Sequence, residues 1–126
     1  VVLLFFKEIF MNKQYRVKRN EDIEAILKKK DSYSNKYFVV YKKENHEANN
    51  FRYAISVGKK IGNAVIRNKV KRQLRSAIDS ILLPTSKMDV FVVAKKSILD
   101  ISYAEMVKQL IYMFNKLNIE NKGAKL

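Results

Sequence analysis

Residues 64–82 form an amphipathic pattern that restricts how this chain can fold. The apolar side chains recur at helical spacing and fall on one stripe of a helix, at Ile66, Val70, Leu74, Ala77, Ile78 and Ile81. Asn63 is a favourable N-cap before this stretch, and Pro84, the single proline of the chain, follows it. Because only one stripe is apolar, this helix must pack against a second layer of the same domain.

The same helix carries long cations on the arc beside its apolar stripe. Three of the six arginines lie here, at Arg67, Arg72 and Arg75, and no carboxylate occurs between Glu47 and Asp79. A solvated helix face usually interleaves acids with bases, whereas like charges at i, i+4 destabilise a free helix. A guanidinium, in contrast, binds phosphate oxygens through two hydrogen bonds. With a formal net charge of +14, the pattern favours a nucleic-acid surface; an anionic membrane or an acidic protein is the alternative partner.

The loop 56–63, which leads into this helix, adds to its positive character. Two glycines before a helix N-terminus are typical of loops that hold phosphate, and Lys59, Lys60 and Asn63 make this corner attractive to anions. The nucleotide-binding pattern fails, because Asn63 and Ala64 follow Gly62 where lysine and serine or threonine are required. We therefore reject an NTPase.

The remaining periodicity predicts an α+β fold. We expect helices over 20–30, 64–82 and 102–117, and strands over 36–43, 51–57 and 88–96. The polar segment 44–50 is expected to close a hairpin between the first two strands. The order of elements indicates a single α/β sandwich in which one sheet is covered by helices.

Composition divides the chain into three segments. In residues 1–10 the apolar run is too short to span a bilayer and lacks the charge pattern of a signal peptide, so we expect an extension before a start at Met11; an interfacial anchor is the alternative. We expect one nucleic-acid-binding domain over 11–120 and a basic tail over 121–126. The absence of cysteine and of a secretory signal favours the cytoplasm.

The segment 56–75, "SVGKKIGNAVIRNKVKRQLR", resembles the signature of the bacterial ribonuclease P proteins, roughly SVSKKxGNAVxRNRxKRxxR. The flanking stretches "YRVKRNEDIEAILKK" and "NKYFVVY" are similar to the N-terminal helix and the first long strand of that family. The resemblance implies a sheet of about four strands with a left-handed βαβ crossover around the basic helix, like the second domain of a small-subunit ribosomal protein. It also implies two RNA partners, a catalytic RNA and precursor tRNA, and Mg²⁺ held mainly by the catalytic RNA, which removes the 5′ leader.

The resemblance also assigns site residues by position. It implies that the catalytic RNA contacts Lys59, Lys60, Asn63, Arg67, Asn68, Lys69, Lys71, Arg72 and Arg75. It implies that the tRNA leader lies in a cleft between the sheet and the first helix, lined by Tyr41, Ser56, Lys60, Ile23 and Leu27. Lys69 replaces a usual arginine, Gly58 a serine, and Ile23 and Leu27 stand where phenylalanines are common, so stacking on a base is weakened at those two positions.

The other residues are typical of core or of solvated positions, although the resemblance makes nucleotide contact an equal alternative for the tyrosine face of the first strand. Tyr37, Val39 and Tyr41 are expected on one strand face, and Phe38 and Val40 on the other. The only histidine, His46, lies in a polar loop without neighbouring ligands, and the carboxylates are dispersed in sequence. We expect no catalytic residue, no metal site, no membrane partner and no small-molecule substrate. A ribosomal-type RNA-binding protein without a role in tRNA processing is the alternative function.

Overall fold

The computed structural model describes residues 16–17, 20–47 and 50–125, over which three helices and a four-stranded sheet succeed one another. The helices are α1 (Asn20–Lys28), α2 (Ala64–Ile81) and α3 (Tyr103–Lys116). The strands are β1 (Ser32–Ser34), β2 (Phe38–Glu44), β3 (Arg52–Ser56) and β4 (Met88–Ala94). Short 3₁₀ turns occupy Lys59–Ile61, Lys96–Asp100 and Lys122–Lys125. The α+β fold expected from the sequence is confirmed, and β1 is an addition, because a segment of three residues is too short to show a strand pattern.

The sheet order is β1-β2-β4-β3, with β2 antiparallel to β4 and β3 parallel to β4. The predicted hairpin between β2 and β3 is therefore wrong, because β4 lies between them. The residues Met88–Val92 of β4 are all buried, and only a central position covers both faces of such a strand. The parallel partners β3 and β4 are joined through α2, as a βαβ unit requires; the left-handed crossover stays a prediction.

One face of the sheet packs on α2 and α3 and forms the main core. Phe38, Val40, Tyr53, Val90 and Val92 are at most 1% exposed on this face. The helices complete the core with Val70, Leu74, Ala77, Ile78 and Ile81 of α2 and Met106, Leu110, Met113 and Phe114 of α3. Ser102, which caps α3, accepts a hydrogen bond from the Glu105 backbone N–H at 3.1 Å.

Two residues depart from their predicted places around this core. Ile66, expected in the apolar stripe, is 38% exposed. It lies in the first turn of α2 and packs over Gly62, where an added Cβ would come within 3.0 Å of it. Tyr37 precedes β2 and packs against the main core, whereas Tyr41 belongs to the opposite face. The chain bends before Phe38, so strand alternation does not extend back to Tyr37.

The opposite face, which we call the open face, is built of three cross-strand rows. Paired residues of neighbouring strands point to the same side of a sheet. The rows are Val39–Val93–Ser56, Tyr41–Phe91–Ala54 and Lys43–Asp89–Arg52. Helix α1 packs against this face through Ile26, which is fully buried, and Ile23. A small apolar cluster thus joins α1 to the sheet. It consists of Val17, Ile26 and Phe91, with Ile23, Tyr41, Ala54 and Val93 packed against them.

The segment 121–126 was expected to be a basic tail, and its described part packs on the fold. Asn121 is 3% exposed and forms a β-bridge with Leu82. Gly123 is buried against Ile111 of α3. Residues 1–15 lie outside the described part of the chain, and with them the expected extension over 1–10 and its alternative as an anchor.

A carboxylate of α2 faces the core, and its environment sets a pH dependence. The Tyr53 hydroxyl donates a hydrogen bond to Asp79 Oδ1 at 2.8 Å. Burial raises the pKa of the Asp79 carboxyl, although this hydrogen bond, Arg16 and Arg75 act in the opposite direction. Burial, together with the neighbouring Asp79, also raises the pKa of Tyr53.

Asp79→Asn is expected to change the pH profile of stability. A carboxyl with a raised folded-state pKa stabilises the fold fully below its ordinary value of 3.8, and this contribution is lost as the pH rises through the folded value. The free energy of unfolding of the wild type should therefore fall relative to Asp79→Asn as the pH rises from below 3.8. Urea denaturation at a series of pH values measures this. The same trend in Asp100→Asn, at an exposed carboxylate, would contradict the assignment.

Candidate nucleic-acid interface

Helix α2 begins at the predicted cap. The Asn63 side chain accepts a hydrogen bond from the Ile66 backbone N–H at 3.0 Å, which satisfies one of the free amides of the first turn. The buried residues of α2 repeat along one side, so the helix is held by its apolar stripe. The side chains of the adjoining arc are thereby turned away from the core.

We call this arc the cationic face; its members are Arg67, Asn68, Lys69, Lys71, Arg72 and Arg75. Asn68, Lys69 and Arg72 are exposed, and Arg67, Lys71 and Arg75 are half-buried. The described residues form three ion pairs, Lys42–Asp31, Arg52–Asp22 and Arg52–Asp89, and one contact between a histidine and a carboxylate, His46–Glu44. None of them involves the cationic face, so no described carboxylate lies within 4.0 Å of its cations.

The geometry of the cationic face suits phosphate oxygens. A shallow groove of about 460 Å³ is lined by Asn68, Lys71, Arg72 and Arg75, with Val65 beside them. Arg67 Nε is buried and has no hydrogen-bond partner in the described structure. The guanidinium groups that line this groove can each donate two hydrogen bonds to the oxygens of an RNA phosphate.

Arg16 joins this region through tertiary structure and was not identified from the sequence. It forms a β-bridge with Tyr53, next to β3. This pairing brings Arg16 near enough to Asp79 to affect its pKa, as Arg75 also does. An arginine in the short segment before α1 carries no periodic signal, so only the fold places Arg16 beside α2.

The predicted anion-binding corner forms one wall of a cleft of about 630 Å³. The cleft is lined by Ser56, Gly58, Lys59, Lys60, Ile61 and residues 93–96. Ile61 is buried and holds the 3₁₀ turn in place, while Lys59 and Lys60 are exposed. Lys95 and Lys96 were not identified, because they follow β4, far from this loop in sequence. Lys95 Nζ donates to Ser34 Oγ and to the Asn35 carbonyl, both at 2.7 Å.

The five positions matched to a leader site are partly brought together. Ile23 and Tyr41 lie in the small cluster under α1, where the rings of Tyr41 and Phe91 stack with centroids 6.2 Å apart. Ser56 and Lys60 line the 630 Å³ cleft described above, which we call the lysine-rich cleft. Val93 belongs to both the small cluster and the lining of this cleft. Leu27 is 37% exposed and lies outside the cluster.

Two further observations concern metal and membrane. In the described part of the chain, no three histidine, cysteine or acidic side chains converge as a metal-binding group. Of the helices described, none combines the length and apolar character that crossing a bilayer requires.

The fold and this surface define a class: a small α+β nucleic-acid-binding domain with one uncompensated cationic helix beside a sheet cleft. A family model described as Ribonuclease P matches residues 11–118. The ribonuclease P protein component of Bacillus cereus is 40% identical over 109 residues, which cover 86% of this chain and 92% of the relative. That of Streptococcus pneumoniae is 41% identical over 114 residues, covering 90% and 92%.

Solved structures agree with these matches. A Staphylococcus aureus RNase P protein mutant with defective mRNA degradation activity superposes with a TM-score of 0.78 at 36% identity, covering 91% of this chain and 97% of that one. The RNase P protein from Thermotoga maritima gives 0.68 at 25% identity, covering 80% and 96%. The chain belongs to the ribonuclease P protein family. It functions as a protein component of ribonuclease P, in the processing of tRNA 5′ ends, and the ribosomal-type alternative finds no support in these matches.

Replacing Arg67 or Arg72 with alanine should weaken RNA binding and flatten its salt dependence. Each lost phosphate contact lowers the slope of log K against log salt by about one. Equilibrium binding to the cognate RNA over a salt series measures the slope. Lys108→Ala, which removes an exposed cation from α3, is the control, and a slope in the α2 variants equal to that of Lys108→Ala would mean that these arginines do not contact phosphate.

Proposed function

We propose that the cationic face of α2 binds the catalytic RNA subunit of ribonuclease P. The observation that carries this proposal is the set of α2 cations, none of which forms an ion pair within 4.0 Å with a described carboxylate. Lys59, Lys60 and Asn63 extend the contact at the N-terminal end of the helix, where free amides attract phosphate. Half-buried arginines give this surface fixed geometry, because packing restricts their side chains before RNA binds.

The 5′ leader of precursor tRNA is the second ligand that we propose. It lies along the open face, from the small cluster at Tyr41 to the lysine-rich cleft at Ser56 and Lys60. Tyr41 offers a ring for a base to contact, and the lysines offer charge for the leader phosphates. Ile23 contributes apolar packing from α1. Leu27 is assigned the same role only by its position in the family pattern, and its place outside the cluster makes it the peripheral member.

The chemistry of the protein side chains indicates which roles belong to the protein and which to the RNA subunit. The described residues do not fit a protein-held Mg²⁺ site, because no three of their acidic, histidine or cysteine side chains lie close enough together to hold a metal ion. We propose that the RNA subunit holds Mg²⁺ and carries out the hydrolysis, and that the protein has no catalytic residue. By neutralising phosphates of both RNAs, the protein lowers the repulsion between them; it therefore raises affinity for the substrate and lowers the Mg²⁺ concentration that the reaction requires. The cytoplasm, where precursor tRNA is made in bacteria, is the proposed location; neither a membrane nor a small-molecule substrate is part of this function.

Reconstitution with the cognate catalytic RNA tests the proposal directly. The protein alone should cleave no precursor tRNA, and it should restore cleavage by the RNA at low Mg²⁺, where the RNA alone is inactive. A magnesium titration of the cleavage rate, with and without protein, makes the comparison. Equal rates with and without protein at low Mg²⁺ would contradict the proposed role.

Tyr41→Ala should lower affinity for leader-bearing tRNA and leave affinity for mature tRNA unchanged. The loss expected for one base-stacking contact is about 1–3 kcal/mol. Binding of both tRNAs to the reconstituted holoenzyme is the measurement. Tyr112→Ala removes an exposed ring from α3 and serves as the matched control. An equal loss for mature and precursor tRNA would show that Tyr41 does not contact the leader.

A further inference from the structure

Arg52 connects three elements of the open face through one guanidinium group. Its Nε and Nη2 donate to Asp89 Oδ1 and Oδ2 of β4 at 3.0 and 2.7 Å. Its Nη1 lies 3.9 Å from Asp22 Oδ2 of α1. Asp89, whose side chain is 2% exposed, also accepts from Asn45 Nδ2 at 3.0 Å. One end of the guanidinium is therefore fixed to the sheet, and the other faces α1.

The strength of the two contacts differs. The bidentate pair with Asp89 is shielded from solvent, and it raises the pKa of the guanidinium further above its ordinary value. The contact with Asp22, 35% exposed, is longer and partly solvated, so it is weaker and sensitive to salt. The buried pair thus holds Arg52 in place, and the outer contact acts on α1.

Helix α1 needs such a contact. It has nine residues, and a helix of this length is marginal in water without tertiary packing. Its apolar attachment to the open face is the small cluster around Ile26. Among the described residues, Arg52–Asp22 is the one ion pair between α1 and the sheet. The distance and tilt of α1 over the Tyr41 row therefore depend on both the cluster and this pair.

We propose that Arg52 is a positioning residue of the leader cleft: held by Asp89, it fixes α1 over the open face through Asp22. This inference rests on the proposed function, since it assigns to α1 and the sheet the two walls of the leader site. Arg52 acts on the leader through α1. Loss of its outer contact loosens one wall and lowers leader affinity, while the cationic face of α2 keeps its contacts with the catalytic RNA.

The test compares Asp22→Asn with Glu21→Gln in the holoenzyme. Both remove one negative charge from the first turn of α1, and Glu21 is exposed and forms none of the ion pairs described. Asp22→Asn should weaken binding of precursor tRNA about two- to fivefold, the range of a partly exposed ion pair. Glu21→Gln should leave it unchanged, and neither variant should alter affinity for mature tRNA or for the catalytic RNA alone.

Arg52→Lys gives a second, independent comparison. Lysine keeps the charge but loses the fork that reaches both carboxylates, so the same selective loss of precursor affinity is expected. Adding Asp22→Asn to Arg52→Lys should then cause no further loss, because both changes remove the same contact. Full additivity would overturn the proposal, as would an Asp22→Asn variant that matches Glu21→Gln.

A distance measurement separates positioning from direct contact with RNA. The chain contains no cysteine, so spin labels can be placed at Glu24→Cys on α1 and Lys36→Cys before β2, both exposed. Asp22→Asn should broaden the distance distribution in the free protein. An unchanged distribution together with lost affinity would overturn the proposal in favour of a direct role for Asp22. Wild-type holoenzyme that does not distinguish precursor from mature tRNA would instead overturn the leader site itself, and this inference with it.

Discussion

The insertion of β4 between β2 and β3 is the constraint on which the rest of the structure depends. As an interior strand it has a neighbour on each side, and its side chains alternate between two layers. Val90 and Val92 enter the main core with α2 and α3, whereas Asp89, Phe91 and Val93 build the open face. Core and cleft are therefore two sides of the same strand. A change in its register by one residue would exchange the two sets.

The parallel pairing of β3 with β4 has a second consequence, because it requires a crossover helix. That helix is α2, and its buried stripe leaves the cations on the outside, with no described carboxylate to pair with them. Each like-charge pair at i, i+4 costs about 0.2–0.5 kcal/mol in a free helix. Packing of the apolar stripe outweighs this cost in the folded protein. RNA bound to α2, as we propose, would remove this cost.

The two regions that we propose to bind RNA are built in different ways. The cationic face is contiguous in sequence and lies on one rigid helix, so its members keep their spacing. The proposed leader cleft is assembled from α1, β2, β3, β4 and the turn after β3, and its geometry depends on how α1 sits over the sheet. The Arg52–Asp89 pair joins β3 to β4 within this assembly. A buried ion pair of this kind adds little net stability, and its value here lies in the direction that it gives to the guanidinium.

Local patterns in the sequence determined the three helices, the Asn63 cap, the buried side of α2 and the cationic face beside it. These features depend on residues within one or two helical turns, where periodicity and capping chemistry act directly. The tertiary structure alone decided the strand order, which overturned the predicted hairpin, and the places of Ile66 and Tyr37. It also placed Arg16 near α2, and Lys95 and Lys96 beside the 3₁₀ turn Lys59–Ile61. In the same way it brought Arg52 into contact with Asp22 and Asp89. Each of these joins residues distant in the chain, and strand pairing is chosen by the burial of a whole strand on both faces, which no local pattern encodes.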